Sequence, residues 1–455
     1  MLNGPIFPRL FVYTLPLLFS GILQLLYNAA DVAVVGRFAS DGEKALAAVG
    51  STGSLTNLIV SLFLGLSVGT NVTVSHYLGA GRDRDVSETV HTAVLSSFAV
   101  GAVLSAVGIV FAPFFLSLMD TPADVIDWSA LYMRIYFVGL PFTMAYNFGG
   151  AILRSKGNTG FPQITLVVSG LLNVLLNLLF VIVFRLDVAG VAMATVVSQG
   201  TSAAMTLIYL SRLDDSCKLI PKRLKIYPDK LRKIAVIGIP AGLQGTFFAF
   251  SNVVIQSSVN SLGRLAMAGT TAASNIDGFI YITGNSVYHG ALSFTGQNFG
   301  ARQYGRIKKI YLSSVLLVVL FTFLLGAVAF SFPDALLSIY APGEDAAEVR
   351  AYGALRLSVM APTYFLCGLM ETATGMLRGL GTSVVPMLIS MIGTVGLRIT
   401  WVKFLFDRTE FFHNMFWLYV SYPISWIFTF AAEVIAFVLF YRRAVRKNEA
   451  ALSPG

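Results

Sequence analysis

Stretches of 18 or more predominantly apolar residues recur along this chain, among them 94–119, 164–184, 310–332 and 417–441. Each is long enough to cross a hydrocarbon core about 30 Å thick as a helix. No water is present there to satisfy the backbone, so such segments span with their hydrogen bonds closed internally. The composition agrees with a chain that lives in a bilayer. Of its 455 residues 56% are hydrophobic and 12% charged, whereas a soluble domain carries about 25% charged residues. Twelve spans are expected, at approximately 10–36, 46–77, 88–118, 126–153, 161–184, 188–210, 231–258, 266–296, 307–331, 348–376, 383–406 and 415–441. The fold class is therefore an all-α polytopic membrane protein with 12 transmembrane helices. The first apolar run, Leu10 to Val35, is too long for the core of a signal peptide and lacks a small-residue cleavage site, so it is expected to be the first span. Two cysteines, Cys217 in a basic loop and Cys367 in an apolar run, make no disulfide framework and are expected as free thiols.

The net charge of +9 is distributed by side of the membrane. Arg9, Arg82, Arg84, Arg154, Lys156, Arg302, Arg306, Lys308, Lys309 and Arg378 fall at the amino terminus or in loops after even-numbered spans, as do eight basic residues between Arg212 and Lys233. Arg442, Arg443, Arg446 and Lys447 follow the last span. The opposite loops carry acids instead: Asp120, Asp124 and Asp127 in one, Asp334, Glu344, Asp345 and Glu348 in another. The positive-inside rule then places both termini in the cytoplasm of a multi-pass protein of the cell membrane. The basic balance is topology, and no nucleic-acid partner is expected.

The hydrophilic stretch Ser211–Lys233 divides the chain nearly in half, and the halves are similar at an offset of 221 to 224 residues. Pro16, Gly21 and Asn28 match Pro240, Gly245 and Asn252. His76-Tyr77-Leu78-Gly79-Ala80 matches Gln297-Asn298-Phe299-Gly300-Ala301. Leu153-Arg154, Gly157 and Pro162 match Leu377-Arg378, Gly381 and Pro386. Six spans per half give both halves the same orientation, the parallel-repeat case typical of alternating-access transporters. The expected domains are a lobe at 1–210 (spans 1–6), a cytoplasmic linker at 211–230, and a lobe at 231–455 (spans 7–12) with a short basic tail.

Three stretches carry a resemblance to a known family: Pro16 with Asn28-Ala29-Ala30-Asp31; Leu153-Arg154-Ser155-Lys156-Gly157-Asn158-Thr159 with Pro162; and Asn173-Val174-Leu175-Leu176-Asn177 followed by Gly190 to Gln199. In these spans of a six-plus-six repeat, the chain resembles the multidrug and toxic compound extrusion (MATE) family from about residue 10 to 440. The resemblance implies a V-shaped pair of six-helix lobes exporting organic, often cationic, compounds against an inward H⁺ or Na⁺ flow.

A charge at mid-bilayer costs several kcal/mol, so each one needs a reason. Gln24, Asn28 and Asp31 lie at i, i+4 and i+7, one helix face ending in a carboxylate, which suits a cavity lining or an ion site. The bland alternative is an interfacial Asp31 paired with Arg37. Asn173 and Asn177 also share a face, as do Val191 and Thr195. With Asp31 they offer hard oxygen ligands for a proton or an alkali cation. By resemblance, Asp31, Asn173, Asn177 and Thr195 form the family's monovalent cation site, although some members carry Asp where Asn177 stands. In the second half Asp277, Tyr281 and Asn285 lie on one face, an acid with an aromatic ring suited to an organic cation. Glu371 matches Asn147 of the first half. Gln24, Asn28, Asn147, Asp277, Tyr281, Asn285 and Glu371 are accordingly expected to line the substrate cavity. Arg398 and Glu433 are expected as a structural charge pair.

No HExxH, GxSxG or P-loop is present, so an enzyme or an ATP-driven pump is not expected, and no cofactor beyond the coupling ion. The expected function is a monomeric, H⁺- or Na⁺-coupled antiporter of small organic compounds, cationic or amphipathic. The alternative is a flippase for a lipid-linked precursor, which would want a basic cavity for a pyrophosphate.

Overall fold

The computed structural model describes residues 1–119, 121–340 and 346–452, with the side chains of 54, 55, 57, 58, 447 and 450–452 left aside. Asp120, Glu344 and Asp345 of the acidic loops, and the side chain of Lys447, therefore lie outside what is described. The described residues form helices and no strand. In chain order these are α1 Ile6–Phe38, α2 Gly42–Gly79, α3 Asp83–Leu118, α4 Ile126–Val138, α5 Leu140–Lys156, α6 Gly160–Leu178, α7 Asp187–Ser211, α8 Pro228–Asn260, α9 Arg264–Gly300, α10 Tyr304–Ser331, the short α11 Pro333–Leu337, α12 Ala346–Gly379, α13 Val384–Ser390, α14 Leu397–Trp401 and α15 Met415–Leu452.

Among the described residues, ten helical segments are long and apolar enough to cross a membrane. Two expected spans fall outside that set, each for a physical reason. The span at 126–153 is two successive helices, α4 and α5, broken at Gly139 just before Pro141. Proline lacks the N–H of a continuous helix and clashes with the preceding turn. The span at 266–296 is the single helix α9, rich in Ser, Thr and Asn; most of its face is buried against α12 and α10, so it needs no lipid-facing hydropathy. The span at 383–406 is interrupted by π-helical turns at Met391–Gly396 and Val402–Phe406. The latter repeats a π-helical turn at Leu179–Val183, directly after α6.

The chain packs as two compact units whose boundaries cut through helices. One comprises Phe19–Gly242; the other comprises Met1–Leu18 together with the chain from Leu243 onward. Thus the start of α1 belongs with the second half of the sequence, and the start of α8 belongs with the first. In the Phe19–Gly242 unit the start of α8 is seated on α2 by four glycines, Gly65 and Gly69 against Gly238 and Gly242. A methyl group on Gly65 would come within 2.2 Å of the Gly242 nitrogen, and one on Gly69 within 2.1 Å of the Ile234 oxygen. This is two small-xxx-small motifs face to face, a packing that lets backbones touch where lipid offers no hydrophobic drive. In the other unit the start of α1 lies on α9. Leu10 packs over Gly290, Tyr13 Oη is 2.9 Å from Ser293 Oγ, and the Tyr13 ring meets Phe294 edge-on at 5.5 Å.

The linker after α7 is anchored rather than free-running. The Ile220 N–H donates to His91 Nε2 at 3.0 Å, which fixes the tautomer whose Nδ1–H donates to Ser87 O at 2.7 Å. Lys230 is buried and paired with Asp85 (2.5 Å) and Asp229 (2.6 Å). Cys217 is a buried free thiol beside Asp215. Burial, with the Asp215 carboxylate second, pushes its pKa up to about 12. Because the thiolate is the reactive form, and an ordinary thiol titrates near about 8.5, labelling of Cys217 by a maleimide at neutral pH is expected to be about a thousandfold slower in the folded chain than after unfolding in detergent. Mass spectrometry of the linker peptide checks this; prompt labelling of folded protein would contradict the buried position.

Candidate functional site

Asp31 sits near the carboxy-terminal end of α1 and is half-buried. It is not paired with Arg37. Instead α6 presents Asn173 and Asn177, one turn apart on the same face and both buried. The Asn177 amide nitrogen donates to Asp31 Oδ1 at 2.5 Å and to Asn173 Oδ1 at 3.2 Å. One amide therefore spends both its protons tying a carboxylate to a second amide oxygen. The Asn177 Oδ1 is itself buried and accepts no hydrogen bond, an uncommon state for a polar atom inside a protein. Tyr27 of α1 packs over Gly170 of α6, and Tyr132 of α4 lies close to the carboxylate. The π-helical turn at Leu179–Val183 begins two residues beyond Asn177, and such turns frequently mark functional positions.

Of the expected ion set, Asp31, Asn173 and Asn177 are thus joined, whereas Thr195 is not. Its hydroxyl donates to Val191 O at 3.0 Å within its own helix α7. Gln24 and Asn28 share the Asp31 face of α1 but are exposed. Asn147 is half-buried and donates to Thr143 O at 2.8 Å.

The charges of the second half are arranged differently from expectation. Asp277 does not stand open to a cation: it is buried and accepts from Arg356 Nε at 2.8 Å. Arg356 lies over the rings of Tyr419 (5.3 Å) and Tyr422 (5.9 Å). The Arg398–Glu433 pair does not form. Arg398 Nε donates to Ser425 Oγ at 3.0 Å, and its guanidinium lies 4.0 Å from the centroid of Tyr422. Glu433 is fully buried and is satisfied at Oε1 by Thr374 (2.8 Å) and Ser390 (3.2 Å). The hydroxyls reach the carboxylate first, from α12 and α13, and leave Arg398 to the aromatic residues of α15. Glu371 is half-buried, accepts from Asn285 Nδ2 at 3.4 Å and has Tyr281 beside it. So Tyr281, Asn285 and Glu371 do come together.

Two functional candidates escaped sequence reasoning. Arg356 lies inside an expected span, and the criterion that singled out Arg398 applies to it equally. Arg378, expected in a loop, is buried, with Nη1 donating to Tyr288 Oη at 2.5 Å and Nη2 to Gln244 Oε1 at 2.7 Å. Gln244 passes the network on to Ser390 at 2.9 Å, and so to Glu433.

Apolar helices written twice, with carboxylates and amides held inside them, define a membrane transporter. The MatE family model matches residues 16–179 and 240–401, and the chain belongs to that family. It is 26% identical over 445 residues to the probable multidrug resistance protein YoeA of Bacillus subtilis, covering 96% of this chain and 94% of that one. It is also 26% identical over 356 residues to an FAD transporter of Shewanella oneidensis, covering 76% and 77%. The fold matches a crystal structure of MATE in complex with MaL6 with a TM-score of 0.89 over 98% of both chains, at 18% identity. The chain is accordingly a transporter of small molecules in a membrane, and not an enzyme. The flippase alternative finds no support in these relatives.

Proposed function

We propose that this protein is an antiporter that exports small organic compounds from the cell, with Asp31, Asn173 and Asn177 as the site where ion entry is coupled. The observation that carries this is the Asp31–Asn177–Asn173 chain with its buried, unengaged Asn177 oxygen. A carboxylate and two amide oxygens are hard donors without sulfur or imidazole, a set that takes a proton or an alkali cation. Binding either one neutralises Asp31 and changes which protons the Asn177 amide donates. That rearrangement lies beside the π-helical turn of α6, an element able to shift by one backbone register. Ion and substrate then oppose one another through a shared coupling free energy, so that each weakens the other by the same factor. On the substrate side, Glu371 with Tyr281 and Asn285 supplies an acid and a ring for a cationic group. Asp277 is excluded from that role by its ion pair. Both termini are assigned to the cytoplasm from the positive-inside pattern.

The test is uptake of ethidium into everted proteoliposomes holding the full chain, with a proton gradient and a Na⁺ gradient imposed separately. Wild-type protein is expected to accumulate the dye under one of them. In Asp31→Asn the gradient-driven component is expected to fall about 5- to 150-fold, the range of an ordinary coupling free energy, with the protein remaining monodisperse. Unchanged coupling in Asp31→Asn would place the site elsewhere.

A further inference from the structure

We propose that Arg398 is a recognition point for an anionic group, a carboxylate or a phosphate, carried on an aromatic substrate. This deepens the transporter reading above and rests on it.

Among the described residues, the other buried charges of the carboxy-terminal unit are held by an opposite charge or by neutral groups, which on Arg378 take both terminal nitrogens, whereas Arg398 is bonded at Nε alone. Arg356 has Asp277, Arg378 has Tyr288 and Gln244, Glu371 has Asn285, and Glu433 has Thr374 and Ser390. Arg398 is 4% exposed, and among the described residues no carboxylate stands within ion-pair distance of it. A guanidinium held in a membrane interior without an acid is costly, and such residues mark ligand pathways by default.

Its surroundings hold it ready for a ligand. The Ser425 hydroxyl donates to Tyr422 O at 2.7 Å, so it can only accept from Arg398 Nε. That bond fixes one edge of the guanidinium. The stack on Tyr422 at 4.0 Å, with Trp426 at 5.9 Å, fixes its plane. The edge bearing the two terminal nitrogens is the fork that grips a carboxylate or phosphate with two parallel bonds.

Charge and shape agree. Arg356 shares the Tyr422 ring with Arg398, and Asp277 meets the charge of Arg356 alone, so the Arg398 charge at that ring is not met by this acid. Tyr364 and Tyr422 pack against Trp426 at 5.3 and 5.8 Å. Rings with offset and tilted faces of this kind accept a further aromatic system.

The experiment uses two pairs of probes that differ only in the charged group: flavin mononucleotide against riboflavin for phosphate, and 2-naphthoate against 2-naphthamide for carboxylate. Binding to the full chain in detergent is followed by tryptophan quenching, with no gradient present, so its outcome is independent of whether Asp31 couples an ion. In wild type, the anionic member of at least one pair is expected to bind about ten- to a hundredfold more tightly than its neutral counterpart, the worth of hydrogen bonds to a charged group. The pair that discriminates identifies the group recognised. Arg398→Gln is expected to bring the two members within about threefold of each other, and Arg398→Lys, which keeps the charge but not the fork, to fall between. Equal binding of charged and neutral members by wild type overturns the proposal without any variant, as does the absence of saturable binding of either anion. A folded Arg398→Gln protein with the wild-type ratio overturns it too.

Discussion

Asp277→Ala is expected to destabilise the protein by about 3–5 kcal/mol, seen as a large drop in the thermal midpoint of detergent-solubilised protein. The carboxylate is 2% exposed and Arg356 8% exposed. Removing the acid leaves a buried guanidinium with only the rings of Tyr419 and Tyr422 to offset it. The same logic makes a second result distinctive. A double variant, Asp277→Leu with Arg356→Met, removes both desolvated charges and fills their space with apolar atoms. It is expected to lie within about 1–2 kcal/mol of wild type, because the pair's attraction and its desolvation cost nearly cancel. If the double variant proves as unstable as Asp277→Ala, the pair is not the unit described above.

Gly242→Ala is expected to cost about 3 kcal/mol, at the upper end for overpacking. Intrinsic helix propensity favours the alanine by about 1 kcal/mol, so the sign is decided by sterics alone. The added methyl would lie 1.8 Å from the Leu62 carbonyl oxygen, a backbone atom that no side-chain rotation can move aside. Gly305→Ala serves as the control. It lies in α10, has no atom within 4 Å of the new methyl, and should gain about 0.5–1 kcal/mol from the unfolded chain's lost freedom. Thermal midpoints that move in the same direction for both variants would contradict the α2–α8 contact.

Much of the fold could be read from the chain because its strongest signals are local. The apolar runs, the break before Pro141 excepted, depend only on length and hydropathy. The repeat shows through Gly, Pro and Arg recurring in order. What stayed hidden depends on three-dimensional competition. Arg398 and Glu433 are both intramembrane charges of opposite sign, yet Thr374 and Ser390 hold Glu433, and their hydroxyls carry no special signature in sequence. Asp277 reads in sequence as a cavity acid because nothing local marks Arg356, 79 positions away, as its partner. The Asp31–Asn177–Asn173 cluster was legible from four-residue spacing on α6, whereas Thr195 has that spacing too and bonds within its own helix. Periodicity says which residues share a face; it does not say what that face meets.

The crossing of α1 and α8 between the two packed units also sets an order for biogenesis. Ribosomes extend chains at about 5–20 residues per second. The Phe19–Gly242 unit has all its parts once Gly242 has been made. The other unit is discontinuous: Tyr13 emerges among the first residues, but the Ser293 it bonds lies 280 positions later. The opening turns of α1 are therefore in place for roughly 15–60 s of translation before the surface they belong to exists. During that interval the insertion machinery or lipid must shelter them, and the arrival of α9 is the event that lets the second unit close.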